Sequence, residues 1–186
     1  MNRQIANVAL FALALSPAGA VAQQAAPQQK PAETMDLKHV DAPNSTEWQQ
    51  LRSLVGQWRG SVEEGGKTHE STVEVRMTGG DSAIMHVVGK DTQYEMVTMF
   101  HPDGPALMAT HYCAAHNQPR MQMVTAAAPN QVAFRFKDGT NIGPGDGHMV
   151  GLVITFIDAN HHDETWAYED KGKEFPGEVF HYSRKP

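Results

Sequence analysis

Along most of this chain, apolar and polar residues alternate with a period of two. Val132, Phe134 and Phe136 point one way, while Ala133, Arg135 and Lys137 point the other. Val150, Leu152, Ile154 and Phe156 share a face in the same manner. Turn residues punctuate the pattern at short intervals: Gly79-Gly80-Asp81, Pro102-Asp103-Gly104 and Pro129-Asn130. Together they predict ten strands, over residues 57–62, 71–77, 82–88, 92–101, 106–113, 120–126, 131–137, 149–157, 164–168 and 177–184. One segment has helical spacing. Ser45 is placed to cap it, Trp48, Leu51 and Leu54 give it one apolar face, and Gly56 ends it.

Short strands, hairpin-length links and no helical run between them predict an all-β antiparallel meander. An open sheet of ten strands leaves two unpaired edges, and closure into a barrel removes both. The short links favour that barrel over a two-sheet sandwich. The stretch DGTNIGPGDG, residues 138–147, is the longest irregular piece and the candidate mouth loop. The outward face of the eighth strand, Gly151, Val153, Thr155 and Ile157, is also largely apolar. The helix or a second subunit, as in a homodimer, can cover it.

The N-terminal end changes the picture. Arg3, the apolar run IANVALFALAL and the small residues ending at Ala20 and Ala22 form a secretory signal peptide, residues 1–22. The run is too short to span a membrane, so no membrane insertion is expected. Residues 23–44 are rich in Gln, Ala and Pro and read as a disordered leader. That leaves 45–186 as one barrel domain and predicts a periplasmic or secreted protein. The single cysteine, Cys113, excludes an intramolecular disulfide despite the oxidising compartment. Without Arg3, 14 basic face 21 acidic residues, a formal charge of −7. With no basic block, nucleic acid and anionic membranes are poor partners.

The densest chemistry is THYCAAHNQPRM, Thr110 to Met121. His111 and Cys113 are two apart on a strand and share a face, and His116 follows just past the strand end. Two imidazoles and a thiolate are ligands for zinc or copper, although the paired cysteines of structural zinc sites are absent. A nucleophilic Cys113 with a histidine base lacks a third group and an oxyanion hole. A small buried Cys113 beside a hydrogen-bonded His111 in the barrel wall is the third reading. Asn117-Gln118-Pro119-Arg120 reads as a turn, with Gln118 and Arg120 alternatively available to an anionic head group. His161-His162-Asp163 reads as a polar turn. Adjacent histidines on a strand point to opposite faces and seldom share one ion. Met96, Met121 and Met123 can line a soft pocket. The candidate ligand contacts are His111, Cys113, Arg120, Met121 and Phe134, and the metal candidates are His111, Cys113, His116 and His181.

Within LVGQWRG, Gly56-x-Trp58 resembles the opening signature of the calycin superfamily, the lipocalin and fatty-acid-binding-like barrels. The resemblance implies that Trp58 plugs the closed end and that Arg184 packs across it. THYC…NQPRM, and Asp158-x-x-His161 followed by Trp166, resemble a group of exported bacterial lipocalin-like proteins without assigned function. A looser similarity is to nitrobindin, a ten-stranded haem-binding barrel, although Val62 stands where that family has a further glycine. Its histidine near the C-terminus would match His181. No HExxH, GxSxG, P-loop or dinucleotide fingerprint occurs. The expected function is therefore binding of a small, mostly apolar ligand inside the barrel, without covalent chemistry. The alternatives are a haem or transition-metal barrel using His181 or His111, Cys113 and His116, and an envelope structural or interaction protein. The sequence names no cofactor.

Overall fold

The computed structural model describes residues 45–64 and 66–186; the expected signal peptide and leader lie outside them. Helix α1, Thr46–Ser53, begins as its sequence predicts, with the Ser45 hydroxyl accepting from the Trp48 N–H at 3.2 Å. The strands follow as β1 Gly56–Glu64, β2 Lys67–Thr78, β3 Ala83–Val88, β4 Met96–Asp103, β5 Ala106–Tyr112 and β6 Gln118–Val124. Then come β7 Gln131–Thr140, β8 His148–Asp158, β9 His161–Asp170, β10 Lys173–Phe175 and β11 Val179–Arg184. Each strand pairs antiparallel with its neighbours, β1 pairs with β11, and β9 joins β8 to β11. The short β10 and then β11 occupy successive stretches of one side of β9. The result is a closed ten-stranded antiparallel barrel with one short helix.

Alternate turns share an end. Residues 79–82, 104–105, 125–130 and 159–160 lie with α1, and residues 89–95, 113–117 and 141–147 lie at the opposite end. The α1 end is closed. Trp48, Leu51 and Leu54 enter the core beside Trp58, whose indole N–H donates to the Leu54 carbonyl at 2.8 Å. Trp58 and Arg184 are paired across β1 and β11, and the guanidinium stands 4.1 Å from the centre of the indole ring. It also donates to the carbonyls of Ser53 at 2.7 Å, Val55 at 2.8 Å and Ala159 at 3.1 Å. One side chain thus satisfies carbonyls at the end of α1, joins them to the β8–β9 turn and covers the plug. Gly56 makes room for it: its φ is +141°, and a Cβ there would lie 2.5 Å from Arg184 Nη1.

The strand boundaries depart from the sequence reading in several places. Residues 92–95 belong to a turn, in which the Thr92 hydroxyl donates to Gly89 O and the Asp91 N–H to Glu95. Gln118, Pro119 and Arg120 are strand, so the turn comes earlier, at 113–117. A β-bulge lies beside the proline, between Arg120 and Met121, and pairing with β5 stops at Arg120, so the residue that offers no N–H stands just beyond that ladder. Strand β7 runs to Thr140, which shortens the irregular mouth loop to 141–147. Strand β9 starts at His161, so the true turn is 159–160, held by the Asn160 N–H on the Asp158 carboxylate.

Candidate functional site

Inward positions near the closed end are filled by Trp58, Val73, Val75, Ile84, Phe100, Phe134 and Ile154. Above them the interior becomes polar. Glu164 on β9 is fully buried. Its Oε1 accepts from His86 Nε2 at 2.8 Å and from His162 Nε2 at 3.2 Å, and its Oε2 accepts from Trp166 Nε1 at 3.1 Å. Burial pushes the Glu164 pKa up. The charge of His86 and the hydrogen bonds from both imidazoles outweigh it and hold the carboxyl well below its usual range. His162 in turn stands edge-on to Trp58, with ring centres 4.3 Å apart, and stacks on Tyr182 at 5.1 Å.

Beyond this layer, toward the open end, lies a small, partly open chamber of about 70 Å³. Val88, Met96, Met149 and Phe180 give it aliphatic and aromatic walls, and His111, Trp166 and Tyr182 complete it. The Tyr182 hydroxyl is bound to Ser71 Oγ at 2.8 Å, and the Trp166 N–H is taken by Glu164. His111 differs. Its Nδ1 shares a hydrogen bond with Thr98 Oγ1 at 2.9 Å, but its buried Nε2 has no protein partner. Burial, helped by the His86 charge and opposed by Glu164, lowers its pKa from 6.5 to about 4. The ring is therefore neutral at physiological pH and presents one unmatched polar atom in an apolar wall.

At the rim, the mouth loop 141–147 and the 113–117 turn are tied together. Asn117 is buried, and its Nδ2 donates to Gly147 O at 2.8 Å. His148 packs on Phe136, with ring centres 4.6 Å apart, and donates to Asp146 O at 2.9 Å.

Of the residues singled out in the sequence, His111 and Met96 line the chamber. Met121 and Phe134 are fully buried core residues outside its lining. Cys113 is half-buried at the start of the 113–117 turn, where its N–H donates to Asn117 O at 3.1 Å. His116 is exposed in that turn with φ +65°. Arg120 is exposed and gripped by Asp138, with Nη2 to Oδ2 at 2.6 Å, so it does not supply an interior head-group contact. The His181 side chain is 66% exposed and bound to Asp163 at 2.8 Å, which places it outside the barrel. Among the described residues, no three His, Cys, Asp or Glu side chains form a group able to hold a metal ion, so His111, Cys113 and His116 do not assemble one.

The chamber has no room for a haem macrocycle beside His111, and His181 faces the wrong way to reach one. Two larger hollows, of about 780 and 800 Å³, open on the outer surface. One lies between α1 and the 125–130 turn, and the other runs across the outer faces of β1 and β11. Both are more open to solvent and far more polar than the chamber, whereas small-molecule sites are usually concave and mostly apolar with few polar groups, which favours the chamber.

His86, Thr98, Glu164 and Tyr182 escaped the sequence reading. The signal was there in alternation: His162, Glu164 and Trp166 share the inward phase of β9, as Ile84, His86 and Val88 do on β3. Assigning 161–163 to a turn hid the first of these.

No protein-family profile matches the chain, and no curated protein matches its sequence. Two solved structures are similar in fold. Rv2717c from M. tuberculosis has 12% sequence identity and a TM-score of 0.54, over 76% of this chain and 99% of that one. A protein of unknown function from the DUF3598 family of Nostoc punctiforme PCC 73102 has 10% identity and a TM-score of 0.51. That likeness covers 73% of this chain and 48% of the Nostoc protein, about half its length. At these identities the likeness shows the fold alone.

Proposed function

We propose that this protein is an exported, calycin-like binding protein that holds a small, mostly apolar molecule in the barrel chamber and performs no covalent chemistry on it. The carrying observation is His111 Nε2, the buried polar atom on the chamber wall without a protein partner. Burying such an atom unmatched costs about 1–3 kcal/mol, a cost that a bound hydrogen-bonding group removes. The apolar walls supply the rest of the affinity through burial. The signal-like N-terminus supports export, and Gly56, Trp58 and Arg184 support the calycin-like reading.

The chamber volume narrows the ligand. An engineered apolar cavity of about 150 Å³ accommodates benzene. A chamber of about 70 Å³ suits a molecule of a few heavy atoms rather than an acyl chain. The test is native mass spectrometry of protein taken from its own compartment, paired with methyl NMR of Met96 and Met149 during titration with small apolar molecules. Binding that shifts both methyls, and that the wall-filling Val88→Phe abolishes in a folded protein, is the expected result. Probes that leave both methyls unmoved, together with protein that carries no adduct, would overturn it. Turnover of any substrate lost on Cys113→Ala would overturn the binding-only reading.

A further inference from the structure

The interior carries an unusual charge balance for a site that faces a ligand. Among the described residues, the buried polar or charged side chains are His86, Thr98, His111, Asn117, His148, His162 and Glu164. They include one carboxylate and neither lysine nor arginine. Both imidazoles nearest that carboxylate already direct Nε2 at it. The arginines with resolved partners are occupied elsewhere: Arg76 by the Met85 sulfur, Arg120 by Asp138, Arg135 by Glu174, and Arg184 by the carbonyls at the closed end.

Glu164 is also close to the chamber through its contacts. Trp166, which donates to Oε2, is a wall residue, and His162, which donates to Oε1, stacks on Tyr182, another wall residue. Its field reaches the walls. After burial, it is the next cause opposing ionisation of Tyr182; at His111 it favours the charged form against burial and the His86 charge, both of which outweigh it.

We infer that the chamber selects uncharged molecules carrying one hydrogen-bonding group and rejects carboxylates and other anions, with Glu164 as the residue that enforces the choice. This inference rests on the chamber being the binding site proposed above. An anion moving from water into this space loses its hydration, and no lysine or arginine lines the space to replace it. The nearest carboxylate is of the same sign, and the two imidazoles beside it direct Nε2 at it rather than at the chamber. A neutral molecule of equal size loses far less hydration and completes His111 Nε2.

The matched probes are propionamide and propionate, which have the same number of heavy atoms and differ by one charge near pH 7.5. Xenon serves as an apolar probe without hydrogen bonds. The readout is the methyl shifts of Met96 and Met149 and the ring nitrogen shifts of His111. The expected result is saturable binding of propionamide with a shift at His111 Nε2, and propionate weaker by about a hundredfold. In folded Glu164→Gln that gap narrows by about tenfold. Propionate binding within tenfold of propionamide would overturn the inference while leaving the binding site in place. A gap unchanged in folded Glu164→Gln would overturn the role given to Glu164, and the wild-type comparison decides the rest if that variant does not fold. Failure of all three probes, xenon included, would overturn the binding site itself and the inference with it.

Discussion

Acidification should weaken this protein through His111 before it touches the carboxylate beneath. The imidazole is held at a pKa of about 4 in the folded chain, against 6.5 when exposed. The unfolded chain therefore takes up a proton near pH 6.5 that the folded chain refuses. Stability from this group is fully present above pH 6.5 and is lost as pH falls through about 4. At about 1.4 kcal/mol per pH unit, the gap is worth about 3 kcal/mol. Glu164 acts in the same direction in a lower window. Its folded pKa lies below its unfolded value of 4.5, so its contribution is present above 4.5 and lost beneath it. The assay is urea unfolding from about pH 7.5 to 4 for the wild type and for His111→Gln, whose amide carries no charge at any pH. The difference between the two proteins isolates His111 from the other histidines. The variant should gain on the wild type by about 3 kcal/mol across that range. Parallel curves would refute the reasoning, as would a His111 ring that titrates near pH 6.5 by NMR.

Other expectations follow from the closed end and the rim. Arg184→Met keeps a stem over Trp58 but loses the charge and three carbonyl contacts, and should lower stability by about 2–3 kcal/mol in thermal or urea unfolding. Gly56→Ala should cost about 2 kcal/mol or more, because alanine resists φ +141° and its Cβ meets Arg184; a stability equal to wild type would mean that the guanidinium sits elsewhere. Asn117→Ala removes the bond to Gly147 and should cost about 1 kcal/mol, with faster amide hydrogen exchange confined to residues 113–117 and 141–147.

Much of the barrel was legible because period-two alternation and turn residues report the same thing independently. His111 could be placed inward from Leu107 and Ala109 alone, since all three share one phase on β5. The Trp58–Arg184 contact followed from a family signature, as the residues are too far apart in sequence for local pattern to join them. Polarity misled where it replaced phase. His161-His162-Asp163 looks like a turn by composition, yet these residues open β9, and the partner of His162 is inside the barrel rather than in solvent. Pro119 misled for a related reason: the missing N–H argues against strand unless a bulge lies beside it, and a bulge leaves no local mark in sequence. The chamber itself depends on which of several inward side chains fill the same space. That is a property of the closed ring and not of any one strand.

The pairing of β1 with β11 has a temporal consequence. A chain released from its N-terminus delivers β11 after every other strand of the barrel. Until then β1 keeps one open edge, Trp58 lacks its covering guanidinium, and the carbonyls of Ser53 and Val55 wait for their donor. Nine intervening strands can zip into a curled ribbon in order, but the seam closes only once β11 arrives. A product that lacks β11 therefore presents a long adhesive edge to its neighbours, and quality control acting on this protein has that six-residue strand as its decisive checkpoint.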